Sequence, residues 1–492
     1  MPEKKLSVTL PELCFIMLTA LVTMLVCTKS SPLYPTNDWL DANCYMTIGR
    51  GMTAGKMPYL DFFEHKGPLI FILHCIAALI SHDSFMGVFL FEIAASICFL
   101  FLSYRIILDK TGKRMLWCVP FISMSVYSSY AFCHGDSAEE FCLPLLLFSY
   151  IISDKLLSYG KLLSGRDSFL IGIFSGLILW TKFNLLGFYA GLFIVMAYTY
   201  ISQKKTANLV RCCGMTVLGV TAVSLPIIIF FAYKNALRSM NEVYFYDNIF
   251  VYNGSSSSVP ENLANGFVFC YTFLPIGFAV IYLGIAAGLR QKNFRQTICQ
   301  VTILLSMFIF TFAGHLSFQY YPLILAALIP VFLCNILTLL KSSHIKSVAF
   351  SAAVSLIICS PLNYFLSPNT YLMKYSRSDM PQFKFAETAR KLDATTMLNY
   401  GFLDGGFYFA ADIVPDYKYF CRNNTGMEEM LKSQDYYIQS GSPELIVSRS
   451  YTGERDYFQN YTCVSEELFP YYRRMVRYYL YVRNDIYEKY YC

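Results

Sequence analysis

The chain has 492 residues, 55% hydrophobic, 17% aromatic and only 15% charged, where an ordinary soluble domain carries about 25% charged residues. That balance excludes a soluble globular protein and, with so much apolar content, a disordered one. The net charge of +6 is dilute and its basic residues sit at the borders of apolar runs, which argues for membrane topology and against a nucleic-acid partner.

Taken in chain order, the apolar runs cover residues 10–27, 84–107, 115–132, 141–156, 169–181, 185–202, 209–233, 267–289, 298–313, 320–340 and 347–366. These eleven predicted spans are long enough, or nearly so, to cross about 30 Å of hydrocarbon at about 1.5 Å per residue. The first follows Lys4 and Lys5 and lacks a small-x-small cleavage site, which reads as a signal anchor. Segments 169–181 and 185–202 flank Lys182 as a tight hairpin. Residues 69–80 are apolar but span only about 18 Å as a helix, so they are expected to lie along the outer interface, with Pro68 in the first turn.

Basic residues are unevenly shared. Lys4, Lys5, Arg105, Lys110, Lys113, Arg114 and eleven more fall in one set of loops; only Lys29, Arg50, Lys56, Lys66, Lys182, Lys234 and Arg238 fall in the other. The bias places the N-terminus in the cytoplasm and, with eleven spans, the C-terminus outside the plasma membrane. The expected architecture is an all-α polytopic module, 1–366, with its first outer loop at 29–83, followed by a small external α/β domain, 367–492. Within that domain 383–392 reads as a helix and 397–400, 445–447 and 478–482 as strands. Its dense tyrosines, Tyr471, Tyr472, Tyr478, Tyr479 and Tyr481 among them, suit either packing at the membrane interface or stacking on sugars, and packing is the simpler expectation. Of the cysteines there, Cys421 and Cys463 form a possible bridge, weighed against free thiols; Cys492 is the third, and no metal-binding spacing occurs.

The outer loops concentrate the acids. Tyr45, Ile48 and Met52 recur as one helix face. Asp41, four residues before Tyr45, projects on that same side, where a carboxylate is costly without a task or a partner. Arg50 is expected on the opposite, solvated side. Capping of this helix by Asp41 is the plainer alternative, although Asp38 or Asn37 would cap equally well. Further on, Asp61, Glu64, His65 and Lys66 crowd the start of the 68–80 helix, a setting that suits a phosphate at headgroup level. Glu92, inside a predicted span, is a weaker candidate, and His74 reads as a packing residue.

The pattern Asp41-x-x-x-Tyr45-x-x-x-x-Arg50-x-Met52, followed by Gly55 and Lys66-Gly67-Pro68-Leu69, resembles the first outer loop of GT-C glycosyltransferases. These are multispan enzymes that use polyprenyl-phosphate sugars; the pattern is nearest the lipid A aminoarabinose transferases, the protein O-mannosyltransferases and related bacterial membrane members. That family carries Asp-Glu and Lys-Pro-Pro in these places, so Ala42 and Gly67 are departures while Asp41 and Lys66 are kept. Asp136, Glu139 and Glu140 resemble the acidic second outer loop. Thr181-Lys182-Phe183-Asn184 resembles the family's Thr-Lys turn, and Gly314-His315 through Gln319-Tyr320-Tyr321 a later outer segment.

The resemblance implies a hexosyl or pentosyl transferase that moves a sugar from a polyprenyl-phosphate donor to an extracytoplasmic acceptor by inverting single displacement. Polyprenyl phosphate leaves without a general acid, so one base and a phosphate-directed cation suffice. Asp41 is then the base, Lys66 and Lys182 hold the donor phosphate, and Asp61, His65, Asp136, Glu139 and Glu140 contact substrate or acceptor. No cofactor is implied and a divalent metal is not indicated. The competing readings are a transporter or flippase of a lipid-linked or polar envelope precursor, and a polysaccharide polymerase or ligase.

Overall fold

A computed structural model describes residues 6–251, 258–314, 317–339, 347–425, 427–453, 455–472 and 474–491. Lys4, Lys5, His315 and Cys492 lie outside the described residues. The chain is a multi-pass helical membrane protein with a small C-terminal sheet. Among the described residues eight helices are long and apolar enough to cross a membrane, nine if one bent pair counts as a span.

All eleven apolar runs contain helix, but not all as the sequence predicts. The first is Leu10–Cys27, and the runs at 84–107 and 141–156 become Met86–Thr111 and Ala138–Tyr159. The run at 115–132 is helical only over Cys118–Tyr127, roughly 15 Å and too short to cross. The run at 267–289 is two helices, Val259–Phe273 and Pro275–Arg290, bent by 108°. Pro275 supplies no backbone N–H and fits only a first helical turn, so the second helix restarts there. Gly165–Thr181 has 17 residues, just under a full crossing.

Two compact units divide the chain. The first takes the described parts of Met1–Thr28, Leu90–Ile227 and Ser256–Thr370. Close packing there depends on small residues: a Cβ on Gly172 would sit 2.2 Å from the Thr216 carbonyl oxygen, and one on Gly219 would sit 2.3 Å from the Phe169 carbonyl oxygen. The Gly165–Thr181 and Thr206–Tyr233 helices therefore meet backbone to backbone, the packing by which helices associate in lipid, where no hydrophobic effect separates them from solvent. Gly172→Val is expected to destabilise the protein by about 2–4 kcal/mol, since carbonyl and Cα atoms cannot yield; thermal unfolding in detergent reads this out. Polar glue is buried nearby: Gln300 donates to the Tyr150 hydroxyl at 2.9 Å and Asn335 donates to the Gln300 carbonyl oxygen at 2.9 Å.

The second unit takes the described parts of Lys29–Phe89, Ile228–Ser255 and Tyr371–Cys492. Its helices Leu40–Thr53 and Pro68–Ile80 pack closely, a Cβ on Gly49 falling 2.6 Å from the His74 backbone. Tyr45 fills the remaining space against Phe71 and His74, and the His74 ring bonds the Ile70 carbonyl at 2.7 Å, the packing role expected of it. The sheet has strands β1 (Met397–Tyr400), β2 (Leu445–Ser448), β3 (Tyr461–Tyr471) and β4 (Arg474–Arg483) in the order β1-β2-β4-β3. β1 and β2 are parallel; β4 runs antiparallel to both its neighbours, with a bulge between Cys463 and Ser465. Leu398, Ile438, Ile446, Phe458 and Tyr481 form its core. Tyr478 and Tyr481 are thus packing residues.

Candidate functional site

The helix Leu40–Thr53 begins in a way the sequence left open. Its N-cap position is Trp39, which offers no side-chain cap. Asn37 instead accepts a bond from the Trp39 N–H at 3.0 Å, and Asp38 is held 2.5 Å from Lys29 Nζ. Asp41 is therefore not the cap. It sits in the first helical turn, where the helix dipole favours a carboxylate.

Around Asp41 the second unit gathers the expected cluster. Lys66 Nζ lies 3.5 Å from Asp41 Oδ2 and 3.9 Å from Glu64 Oε1. It also stands 5.8 Å from the Tyr45 ring centroid, and the Tyr45 hydroxyl reaches Asp41 Oδ2 at 3.5 Å. His65 Nδ1 lies 3.2 Å from Glu64 Oε1, and its carbonyl accepts from Asn248 Nδ2 at 2.7 Å. Asp61 is spent on the turn before the cluster, accepting the Met57 N–H at 2.6 Å. That turn forces Tyr59 into the left-handed region at φ 68°, and its fully buried hydroxyl donates to the Lys66 carbonyl at 2.6 Å. Tyr59 thereby fixes the backbone from which Lys66 springs.

Burial pushes the Glu64 carboxyl up to about 7, the Lys66 ammonium opposing the rise and the Asp41 carboxylate adding to it. A carboxyl raised above its ordinary value of 4.5 binds its proton more tightly when folded. Its contribution to stability is present below 4.5 and is lost as pH climbs through about 7. Glutamine cannot titrate, so Glu64→Gln is expected to flatten the fall in stability between about pH 4.5 and 7. Thermal unfolding across that range is the check, and an unchanged slope would assign the titration to another group.

Arg50, expected in solvent, is buried. It donates to the Phe409 carbonyl at 3.2 Å and pairs with Asp412. Thr47 donates to Asp404 Oδ2 at 2.6 Å, and Asp404, which burial raises to about 6, also accepts the Gly406 N–H at 2.8 Å. Residues 404–412 thus cover the side of the helix that the apolar pattern left for water. No local signal marks them, because each partner stands more than 350 positions away in sequence.

The first unit holds the other candidates. Gly135 and Asp136 both have positive φ, and the Asp136 N–H donates to Glu92 Oε1 at 2.7 Å and Glu140 Oε2 at 3.0 Å. Glu92 also accepts from Thr28 Oγ1 at 2.7 Å, so this acid of the Met86–Thr111 helix anchors the loop. Ser137 caps the Ala138–Tyr159 helix by accepting from the Glu140 N–H. Glu139 Oε1 lies 2.5 Å from Lys182 Nζ, and Lys182 stands 4.3 Å from the Tyr321 ring centroid. The sequence predicts Lys182 and Glu139 in separate roles; here they are an ion pair. Gln319 reaches Cys133 Sγ at 2.8 Å. Among the described residues no group of three or more His, Cys, Asp or Glu side chains is placed to hold a metal ion.

No protein-family model and no curated protein matches the sequence. Solved structures do match. The crystal structure of ArnT from Cupriavidus metallidurans bound to undecaprenyl phosphate aligns over 95% of this chain and 97% of its own, with TM-score 0.64 and 12% identity. The apo structure of the same protein aligns over the same shares with TM-score 0.62 and 12% identity. The chain therefore has the fold of ArnT.

Proposed function

We propose that the chain is an integral-membrane glycosyltransferase that takes a hexosyl or pentosyl group from a polyprenyl-phosphate donor and delivers it to an extracytoplasmic acceptor. The fold shared with ArnT, a protein solved with undecaprenyl phosphate bound, supports the class of donor. The observation that carries the proposal is the 3.5 Å approach of Lys66 Nζ to Asp41 Oδ2, Asp41 standing in the first turn of the Leu40–Thr53 helix. It sets a proton acceptor beside a cation that can neutralise a lipid-borne phosphate.

Asp41 takes the proton of the acceptor hydroxyl as that oxygen attacks the anomeric carbon. The bond to the phosphate breaks in the same step, and Lys66 stabilises the charge left on the departing polyprenyl phosphate. With a single base and no second carboxylate acting as nucleophile, the displacement inverts the anomeric centre. Glu64 and Tyr59 orient Lys66, and His65 borders the donor. Lys182 serves as a second phosphate-directed cation, steered by Glu139 and Tyr321, while Asp61, Asp136 and Glu140 shape the loops that meet substrate. The topology that the basic residues favour puts the N-terminus in the cytoplasm and the C-terminal domain outside.

The test is incubation of the purified protein in detergent with synthetic polyprenyl-phosphate sugars and envelope-derived acceptors. Release of polyprenyl phosphate, with product of opposite anomeric configuration by NMR, is expected. Retained configuration would replace the single displacement by a double one, and movement of intact lipid without release would identify a transporter.

A further inference from the structure

The sequence weighs a bridge between Cys421 and Cys463, but in the structure the two sulfurs have different neighbours. Cys463 Sγ lies 3.8 Å from the Ser465 carbonyl oxygen. Cys421 Sγ lies instead 3.7 Å from Cys44 Sγ, 377 positions away in sequence. Cys44 belongs to the Leu40–Thr53 helix, three residues after Asp41, and is completely buried; Cys421 is 3% exposed. The strand of chain around Cys421 is tied down on both sides. Lys418 accepts the Phe63 N–H at 2.8 Å, Phe420 accepts the Tyr408 hydroxyl at 2.6 Å, and the Arg422 N–H donates to the Phe402 carbonyl at 2.9 Å. Two sulfurs held in van der Waals contact on separately anchored segments need close by only about 1.7 Å to reach the disulfide length of about 2.0 Å.

We propose that Cys44 and Cys421 form a disulfide in the mature protein. The bridge fastens the helix that carries Asp41 to the C-terminal segment. It requires that both residues face the exterior, and so it rests on the topology of the proposed function. The reaction is exchange with a disulfide oxidant of the cell envelope: the Cys44 and Cys421 thiols give up two electrons and two protons, forming one S–S bond, while the oxidant R–S–S–R leaves as two R–SH. Once folded, both thiols are raised by burial above their ordinary range, which suppresses the thiolate that exchange requires. The bridge therefore forms while the chain folds and resists reduction afterwards, as a structural cross-link does. Closing so long a loop also restricts the unfolded chain strongly.

Cells expressing the full chain are quenched in acid, denatured, alkylated with N-ethylmaleimide and digested without reductant. Mass spectrometry is expected to find most Cys44 and Cys421 in one linked peptide that dithiothreitol separates. Recovery of both as alkylated thiols, or of Cys421 joined to another cysteine, would overturn the assignment. As a second measurement, Cys44→Ser is expected to lower Tm by several degrees and to abolish the further drop that reductant under denaturing preincubation causes in the wild type. Equal Tm for oxidised and reduced wild type would also overturn it. Labelling of Leu33→Cys by an impermeant maleimide on intact cells reports the topology by itself. Labelled Leu33→Cys with unlinked Cys44 and Cys421 refutes the bridge alone, whereas unlabelled Leu33→Cys refutes the topology of the proposed function.

Discussion

Asp41→Asn is expected to lower kcat for sugar transfer by about 10²- to 10⁴-fold, the range in which a positioned base contributes. The substitution keeps size and shape, and the Leu40–Thr53 helix does not use Asp41 as its N-cap, so folding should survive. Asparagine also removes a negative charge 3.5 Å from Lys66 Nζ. Donor affinity should therefore hold or tighten while turnover collapses, and that split separates loss of a base from loss of a binding group. Single-turnover kinetics with a synthetic donor, together with direct titration of the non-hydrolysed lipid, supply both quantities. Near-wild-type turnover would remove Asp41 from the chemistry.

Lys66→Ala is expected to act on the donor and on the leaving phosphate together, raising donor KM as well as lowering kcat. Loss of the phosphate's charged partner should cut kcat/KM by about 10²- to 10³-fold, equivalent to about 3–4 kcal/mol. The backbone at position 66 stays where it is, because the Tyr59 hydroxyl grips the carbonyl and not the side chain. The ammonium is also the chief influence lowering the Glu64 carboxyl. Without it Glu64 moves above about 7 and stays protonated at neutral pH, which spares the fold an unpaired buried charge. Lys66→Arg should recover part of the affinity, since a guanidinium still binds phosphate but from a longer, planar group. Donor KM measured for the three proteins checks the order wild type, arginine, alanine.

Much of the fold could be read from apolar runs, because lipid-facing helices must be apolar along their length. The boundaries of Leu10–Cys27 and of β1 are those the sequence predicts. β3 escaped because Ser465, Glu466 and Glu467 interrupt its apolar character, as an edge strand with one neighbour permits. The break at Leu274 escaped because hydropathy does not register a change of direction. At the site, Asp41, Glu64, His65 and Lys66 were visible since they lie within one loop. Arg50 was misplaced for a different reason. A single apolar stripe predicts a single buried face, whereas residues 42–51 are buried all round the helix, the polar side by Asp404, Phe409 and Asp412. Contacts across such a sequence distance leave no periodic trace in either partner.

The sharing of one compact unit by residues 29–89 and the C-terminal segment bears on how such a chain can be shortened or recombined. Excising everything after Leu366 would strip Thr47 of its carboxylate, Arg50 of its counter-ion and Lys29 of the Tyr371 hydroxyl that it reaches at 3.2 Å. A chimera that borrows the C-terminal piece from a homologue must then import the first outer loop as well, since the two were shaped as a matched pair.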